Sequence, residues 1–240
     1  MKTYYHVYAP MKEPDVSTNL QEILLASNNP VNGMAPSGTH SIKALCDETP
    51  RTPGSSLLIH SCCAPCFVSA KDYFSNYEVE GLFFNPFIHP FREYKKRFQS
   101  MMELEKRGET VHFVDEYDLK GFLKVVLEME EKGVKRCSHC YSVRLKRTAD
   151  IALMRGFDAF ATTLVVSPYQ DILLINEIGE SEGNRAGIKY LSADLRHLHD
   201  EGHKRAKDMN LYMQGYCGCI FSEEERYKKP LKKTGLDHSI

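Results

Sequence analysis

From about residue 55 onward, apolar and polar positions follow a pattern that predicts strands alternating with helices. Short apolar runs predict five strands, at residues 55–61, 78–85, 110–117, 157–167 and 189–196. Runs of this length, rich in β-branched and aromatic side chains, are typical of buried strands. The segments between them carry apolar residues at helical spacing, so the pattern indicates an α/β protein.

The predicted helices each have one apolar stripe. The residues expected to face inward are Phe67, Ala70 and Phe74; Phe91, Tyr94, Phe98, Met101 and Met102; Leu119, Phe122, Leu123, Val126 and Leu127; and Leu145, Ala149, Ala152 and Leu153. A further helix is predicted over residues 171–187. Because strands that alternate with helices need right-handed crossovers, we expect a mainly parallel sheet flanked by helices.

The first 54 residues do not share this pattern. Their main apolar cluster consists of Leu20, Ile23, Leu24 and Leu25, and a segment rich in turn-forming residues follows it. We interpret residues 1–54 as an N-terminal extension with one short helix. Residues 55–224 then form the main domain, and residues 225–240 form a lysine-rich tail.

The composition is ordinary for a globular protein, and the chain lacks the sequence signals that would direct it out of the cytoplasm. A chain of 240 residues with 42% hydrophobic and 26% charged residues can bury one sizeable core. The chain has no run of about 18 apolar residues that would predict a membrane span. Its first residues also lack the apolar stretch of a secretory signal.

The formal net charge of −1 does not by itself indicate a nucleic-acid partner. Binding to a polyanion would have to depend on local basic clusters. The candidates are Lys95, Lys96 and Arg97; Arg144, Lys146 and Arg147; Lys204, Arg205 and Lys207; and Lys228, Lys229, Lys232 and Lys233. Each cluster alone is more typical of a solvated helix face than of a binding site.

Seven of the eight cysteines fall into three short groups. These are Cys62, Cys63 and Cys66 after the first strand, Cys137 and Cys140 before a predicted helix, and Cys217 and Cys219 on either side of one glycine. Cys46 stands apart in the extension and is interpreted as an incidental thiol. In a chain without a secretory signal, such groups indicate metal binding or redox chemistry rather than structural disulfides.

The first two groups together supply four soft ligands, Cys62, Cys63, Cys137 and Cys140. Four thiolates suit either a 4Fe-4S cluster or tetrahedral zinc. Adjacent cysteines point to opposite sides of an extended chain, which is awkward for one ion and easier for a cluster with separate iron corners. The pattern therefore favours iron and sulfur over zinc, and Cys66 is either a further metal ligand or a small buried residue.

Cys217 and Cys219 are predicted to be a redox pair. A disulfide across a single glycine is strained and easily reduced, so the pair suits storage of two electrons. The alternatives are a further pair of metal ligands, or thiols that only fill space. Cysteines and Pro65 occupy the position after the first strand where an ATP-using enzyme needs a glycine-rich phosphate loop, so nucleotide hydrolysis is not expected.

Five segments of the chain resemble the successive signature blocks of the QueH family of epoxyqueuosine reductases. They are LLIHSCCAPC, FFNPFIHPFREYKKR, RCSHCYSVRLKRTA, ATTLVVSPYQ and LYMQGYCGCIFS, in the same order over about residues 55–224. The resemblance implies that this region is a catalytic domain. It also implies a core similar to the adenine nucleotide α-hydrolase (HUP-like) proteins, without their phosphate loop.

The resemblance further implies a role for each cysteine group. Cys62, Cys63, Cys137 and Cys140 match the family's 4Fe-4S ligands, Cys217 and Cys219 match its redox-active pair, and Cys66 lies where one additional iron would be held. The implied reaction converts epoxyqueuosine to queuosine at the wobble position of tRNAs with GUN anticodons, those for Asp, Asn, His and Tyr. The electron donor is not identified by the sequence.

Several other residues in or beside these blocks are candidates for contact with the substrate or for proton transfer. The substrate-binding candidates are Asn85, His89, Tyr94, Arg144 and Arg147. The candidate proton donors are His60, His89, Tyr94, His139, Asp194 and Tyr216. Three alternative functions remain open: a zinc-stabilised RNA-binding module without catalysis, a cluster-dependent tRNA sulfur transferase, and a simple thiol–disulfide oxidoreductase.

Overall fold

A five-stranded sheet forms the centre of the protein, whose computed structural model describes residues 54–228. The strands are β1 (Ser56–His60), β2 (Glu78–Phe84), β3 (Val111–Val114), β4 (Ala159–Thr162) and β5 (Lys189–Tyr190). All pairings are parallel, and the spatial order is β3-β2-β1-β4-β5. The prediction of a parallel α/β sheet is therefore confirmed.

Helices connect the strands and flank the sheet. They are α1 (Ala64–Tyr73), α2 (Phe91–Lys106), α3 (Leu119–Glu131), α4 (Arg136–Arg155), α5 (Ile172–Ala186), α6 (His199–Asp208) and α7 (Ile220–Tyr227). Short 3-10 helices cover Thr163–Val166 and Arg196–Leu198. The Asp118 carboxylate accepts a hydrogen bond from the Gly121 N–H at 2.8 Å and so caps the start of α3. At the end of α4, Gly156 takes the left-handed conformation that residues with a Cβ rarely adopt.

The core centres on β1 and β4, which are covered on both faces. Leu57, Leu58, Ile59 and Phe160 have no exposed surface. This double burial explains why the strands appear in the sequence as continuous apolar runs rather than as alternating patterns.

Truncation of Phe160 tests the packing of this core. The Phe160 ring lies 5.1 Å from the ring of Tyr190, and Phe160→Ala is expected to lower the free energy of unfolding by about 3–5 kcal/mol. Leu153 is 53% exposed, so the matched change Leu153→Ala should cost no more than about 0.5 kcal/mol. Urea denaturation of both variants measures the difference, and equal costs would contradict the described core.

The predicted apolar stripes are wrong at four positions. Phe91, Leu119, Leu127 and Leu153 were expected to face inward but are 50%, 37%, 51% and 53% exposed. In α3, the buried face is formed instead by Phe122, Val125, Val126 and Met129. The periodicity thus locates the helix correctly. The buried face of α3 is narrower than its apolar face, since Leu119 and Leu127 lie outside the buried part.

The fourth and fifth strands are shorter than the sequence predicts. β4 ends at Thr162, whose Oγ1 accepts a hydrogen bond from the Leu164 N–H at 3.1 Å and starts the 3-10 helix. β5 pairs with β4 over only two residues, Lys189 and Tyr190. The apolar residues that follow each strand are still buried, so hydrophobicity alone did not mark the strand ends.

Some predictions concern residues that the structure does not describe. The N-terminal extension with its short helix and Cys46, and the tail residues Lys229, Lys232 and Lys233, lie outside the described residues. Within residues 54–228, no helix is long and apolar enough to cross a membrane.

Candidate metal and redox site

The first cysteine group lies at the carboxyl edge of the sheet, as predicted. β1 leads directly into Cys62 and Cys63, and Cys63 precedes the first residue of α1. The connection after β1 leads to β2, toward one edge of the sheet, whereas the connection after β4 leads to β5, toward the opposite edge. The strand order therefore reverses its direction between β1 and β4. In open parallel sheets, ligands bind at such a switch point, beyond the carboxyl ends of the strands.

Cys62, Cys63 and Cys66 form a buried group of interacting thiols. The Cys62 and Cys63 sulfurs are 3.8 Å apart. Hydrogen bonds from Cys63 and Cys66 lower the pKa of Cys62, and the same bonds raise the pKa of Cys63 and of Cys66. Gln214 also donates a hydrogen bond to the Cys63 sulfur at 3.0 Å. The group therefore stabilises one thiolate, at Cys62.

Cys137 and Cys140 lie among the first five residues of α4, and not before the helix as the sequence predicts. Burial raises the pKa of Cys140 to about 12 and also raises the pKa of Cys137. A helix N-terminus favours thiolates, whereas burial disfavours them at both of these free thiols. A bound metal would need to displace both protons.

Cys217 and Cys219 are free thiols with separate hydrogen-bond partners. The Cys217 sulfur accepts a hydrogen bond from the Gln170 side chain at 3.0 Å, and Tyr141 donates to Gln170 at 2.5 Å. The Cys219 sulfur accepts from the Ser222 N–H at 3.4 Å, at the start of α7. Through Tyr141 and Gln170, Cys217 is thus linked to α4, the helix that carries the C-x-x-C motif.

Arg144 places a buried positive charge among all three cysteine groups. It lies one helical turn after Cys140 and is only 1% exposed. Burial alone would lower the pKa of Arg144, but its electrostatic interaction with Cys140, Cys62 and Cys217 in their thiolate forms raises it. Within residues 54–228 no carboxylate pairs with Arg144, and its Nε has no hydrogen-bond partner. Because an unpaired buried cation is costly, the site favours a compensating anion.

Two arginines that were expected in basic surface clusters are in fact interior. Arg97 and Arg144 are each 1% exposed, so neither belongs to a solvated helix face. Lys95 and Lys96, on the other side of α2, are exposed. The cluster predicted at Lys95, Lys96 and Arg97 is therefore reduced to its two lysines.

The other candidate substrate-binding residues have different environments. Asn85 is buried and donates to the Ser61 carbonyl at 2.9 Å, while its Oδ1 has no partner among the described residues. Burial lowers the pKa of the fully buried His89 to about 4. Tyr94 donates to Asp115 at 2.8 Å, and Arg147 lies 3.7 Å from a carboxylate oxygen of Glu116. Tyr94 and Arg147 thus already have protein partners.

The candidate proton donors also differ in their hydrogen-bond partners and pKa shifts. His60 lies between the Thr162 hydroxyl at 2.9 Å and the Phe84 carbonyl at 3.1 Å, so it joins β1, β4 and β2 as a hydrogen-bonding group of the core. Burial lowers the pKa of both His60 and His139 to about 4. Tyr216 donates its hydroxyl to the His89 carbonyl.

Asp194 is bound by Arg196, at 2.8 Å from the Arg196 Nε to the Asp194 Oδ1. The hydrogen bonds and charge of Arg196 lower the pKa of this carboxyl group. Asp194 is therefore a poor proton donor at neutral pH.

Sequence reasoning missed the residues that contact the sulfurs. Gln170 and Gln214 both donate to cysteine sulfurs at 3.0 Å, and the Thr163 hydroxyl lies 3.7 Å from the Cys62 sulfur. All three lie inside or beside the signature blocks ATTLVVSPYQ and LYMQGYCGCIFS, which is the one signal that could have identified them. Within residues 54–228, no three His, Cys, Asp or Glu side chains surround a single point as the ligands of one ion would.

The fold and site together define a class of α/β proteins with a thiol-rich site at the carboxyl edge of a parallel sheet. Comparison with known proteins specifies the family. The family model described as epoxyqueuosine reductase QueH matches residues 57–225, and the chain belongs to this family.

Individual relatives cover most of the chain. The epoxyqueuosine reductase QueH of Staphylococcus epidermidis is 34% identical over 181 residues, which cover 69% of this chain and 75% of the relative. The Thermotoga maritima protein of the same name is 33% identical, with 72% and 93% covered. The Dehalococcoides mccartyi protein of that name is 32% identical, with 72% and 96% covered.

Proposed function

We propose that the protein is an iron–sulfur oxidoreductase that reduces epoxyqueuosine to queuosine in tRNA. The observation that carries this proposal is the set of hydrogen bonds that joins the three cysteine groups. Gln214 donates to the Cys63 sulfur, and Tyr141, next to Cys140, is linked through Gln170 to the Cys217 sulfur. The names of the relatives specify the epoxide as the substrate class. Because its substrate is tRNA, the proposed reaction takes place in the cytoplasm.

The residues present fit a 4Fe-4S cluster held by Cys62, Cys63, Cys137 and Cys140. These four side chains supply the required soft ligands. The unpaired charge of Arg144 is the compensating partner that an anionic thiolate-bound cluster needs. Cys66, whose thiol interacts with Cys62, would supply a ligand to one additional iron. When bound, the cluster would supply an electron path between the reductant and the substrate.

The proposed chemistry balances with the Cys217 and Cys219 pair as the electron source. Converting the epoxide to an alkene breaks two carbon–oxygen bonds, consumes two electrons and two protons, and releases the oxygen as water. Oxidation of the two thiols to a disulfide supplies two electrons and two protons. An external electron donor then returns the disulfide to the dithiol, which allows another turnover.

Exposed lysines on α2 are expected to contact the tRNA backbone. Lys95→Gln combined with Lys96→Gln should weaken tRNA binding. The slope of log K against log salt concentration should become shallower by about 0.7 to 0.9 for each lost phosphate contact. Fluorescence anisotropy across a range of salt concentrations measures both quantities. Lys124→Gln, a change of another exposed lysine on α3, is the control. An unchanged affinity in the double variant would exclude the α2 face as a tRNA contact.

An anaerobic activity assay tests the proposed function. Reconstituted protein is mixed with a reductant and tRNA that carries epoxyqueuosine, and the nucleosides are analysed by mass spectrometry beside iron and sulfide analysis. Loss of one oxygen by a protein with about four irons per chain is the expected result. An intact epoxide on a protein that contains only zinc would refute the proposal and favour a zinc-stabilised RNA-binding module.

A further inference from the structure

Glu93 and Arg97, which are buried, and Tyr212, which is half-buried, form a network of side chains against the loop Cys217-Gly218-Cys219, here called the redox-pair loop. The Arg97 Nε donates to the Glu93 Oε1 at 2.7 Å, and the two side chains are 1% and 6% exposed. Tyr212 donates its hydroxyl to the other carboxylate oxygen of Glu93 at 2.6 Å. Both carboxylate oxygens are thus used, and the orientation of the guanidinium is set by charge-assisted hydrogen bonds.

The free end of the same guanidinium holds the loop backbone. The Arg97 Nη1 donates to the Cys217 carbonyl and its Nη2 donates to the Tyr216 carbonyl, each at 2.9 Å. From the other side, the His89 N–H donates to the Gly218 carbonyl at 2.7 Å. The carbonyl groups of three successive residues are therefore bound by the protein interior.

Gly218 permits this close approach. Its φ is +135°, a conformation that side chains with a Cβ rarely adopt. A Cβ at this position would lie 3.2 Å from the Arg97 Nη1 and 3.2 Å from an Ile88 side-chain carbon. The glycine between the two cysteines thus lets Arg97 reach the loop backbone.

We propose that Arg97, oriented by Glu93 and Tyr212, is a positioning residue that holds the Cys217-Gly218-Cys219 loop in its dithiol arrangement. In that arrangement the two sulfurs accept hydrogen bonds from Gln170 and from the Ser222 N–H. A disulfide requires the sulfurs to approach within about 2.05 Å, so the loop must move against these contacts. Arg97 therefore stabilises the dithiol relative to the disulfide and makes the oxidised pair easier to reset.

The role needs an arginine rather than any cation. Arg97 uses three nitrogens to serve Glu93, Cys217 and Tyr216 at once. A lysine has one nitrogen and no planar fork, so Arg97→Lys keeps the charge but cannot make the same set of bonds. Tyr212→Phe is a milder change that leaves Arg97 in place and removes one contact that orients Glu93.

Hydrogen exchange of the full-length, anaerobically reconstituted protein tests the positioning role. In Arg97→Lys and Tyr212→Phe, amide exchange over residues 214–219 should rise about tenfold, because each lost hydrogen bond contributes on that order. Tyr190→Phe is the matched control, since it removes a buried hydroxyl bound to Asn176 elsewhere in the core. Unchanged exchange in this segment, or an equal rise throughout the protein, would overturn the positioning role.

The redox consequence rests on the proposed function and has its own readout. Residues 208–226 form one tryptic peptide that holds Cys217 and Cys219 and no other cysteine. After equilibration in glutathione buffers, alkylation and mass spectrometry of this peptide give the disulfide fraction. Arg97→Lys should favour the disulfide about tenfold, which lowers the reduction potential by about 30 mV. An unchanged potential would overturn this consequence.

Failure of the positioning role of Arg97 and failure of the proposed redox pair give different results. If the unmodified protein forms no disulfide in this peptide at any glutathione ratio, the redox pair of the proposed function fails. The hydrogen-exchange comparison still decides the positioning role in that case, because it measures the loop backbone and not the oxidation state of the cysteines.

Discussion

Replacement of Cys217 or Cys219 with serine is expected to abolish repeated conversion of epoxyqueuosine to queuosine. Serine cannot form the disulfide that releases two electrons, so neither variant can complete a catalytic cycle. The iron content should not change, since the proposed cluster ligands are Cys62, Cys63, Cys137 and Cys140. Product formation over time, measured by nucleoside mass spectrometry beside iron analysis, tests both expectations.

A neighbouring substitution controls for general damage to this segment. Met213 is 41% exposed, and Met213→Ala should leave conversion unchanged. If Cys217→Ser and Cys219→Ser also convert the substrate at the original rate, the pair is not the electron source. Such a result would favour either electron delivery through the cluster alone or thiols that only fill space.

Replacement of Cys137 with alanine is expected to remove the cluster. The loss of one of four thiolate ligands should reduce bound iron from about four per chain to well below that number, and activity should fall with it. Cys62→Ala should have the same effect, because it removes a ligand that the first cysteine group supplies. Iron and sulfide analysis and the visible absorption of reconstituted protein measure the loss.

The C-x-x-C motif offers its own control for this prediction. Ser138 lies between Cys137 and His139, and its hydroxyl donates to the Lys135 carbonyl at 2.8 Å. Ser138→Ala should therefore retain the full iron content. If Cys137→Ala also retains four irons, the ligand set is wrong, and Cys66 or a cysteine of the redox-pair loop must replace Cys137 as a ligand.

Most of the fold could be predicted from the sequence because its strands are buried on both faces. Leu57, Leu58 and Ile59 form an unbroken apolar run, which marks β1 without any knowledge of its neighbours. The narrow buried face of α3 could not be predicted in this way. The exposure of Leu119 and Leu127 depends on which elements pack beside the helix, and that information is not local.

The cysteines are the only part of the candidate site whose position could be predicted from the sequence. Their short spacings are visible in the sequence, and the first group follows a recognisable strand. Arg97 and Arg144 were misplaced on the surface because the local pattern around each is basic and polar. Contacts with residues far away in the chain keep them interior: Arg97 binds the carbonyls of Tyr216 and Cys217, and Arg144 lies among thiols of all three groups.

The most direct test of the mechanism is a stoichiometric experiment without external reductant. Fully reduced, reconstituted protein is freed of reductant anaerobically and mixed with an equal amount of tRNA that carries epoxyqueuosine. Queuosine is then counted against the disulfide in the peptide of residues 208–226. The mechanism predicts one Cys217–Cys219 disulfide for each queuosine formed. Queuosine formed while both cysteines remain free thiols would contradict it.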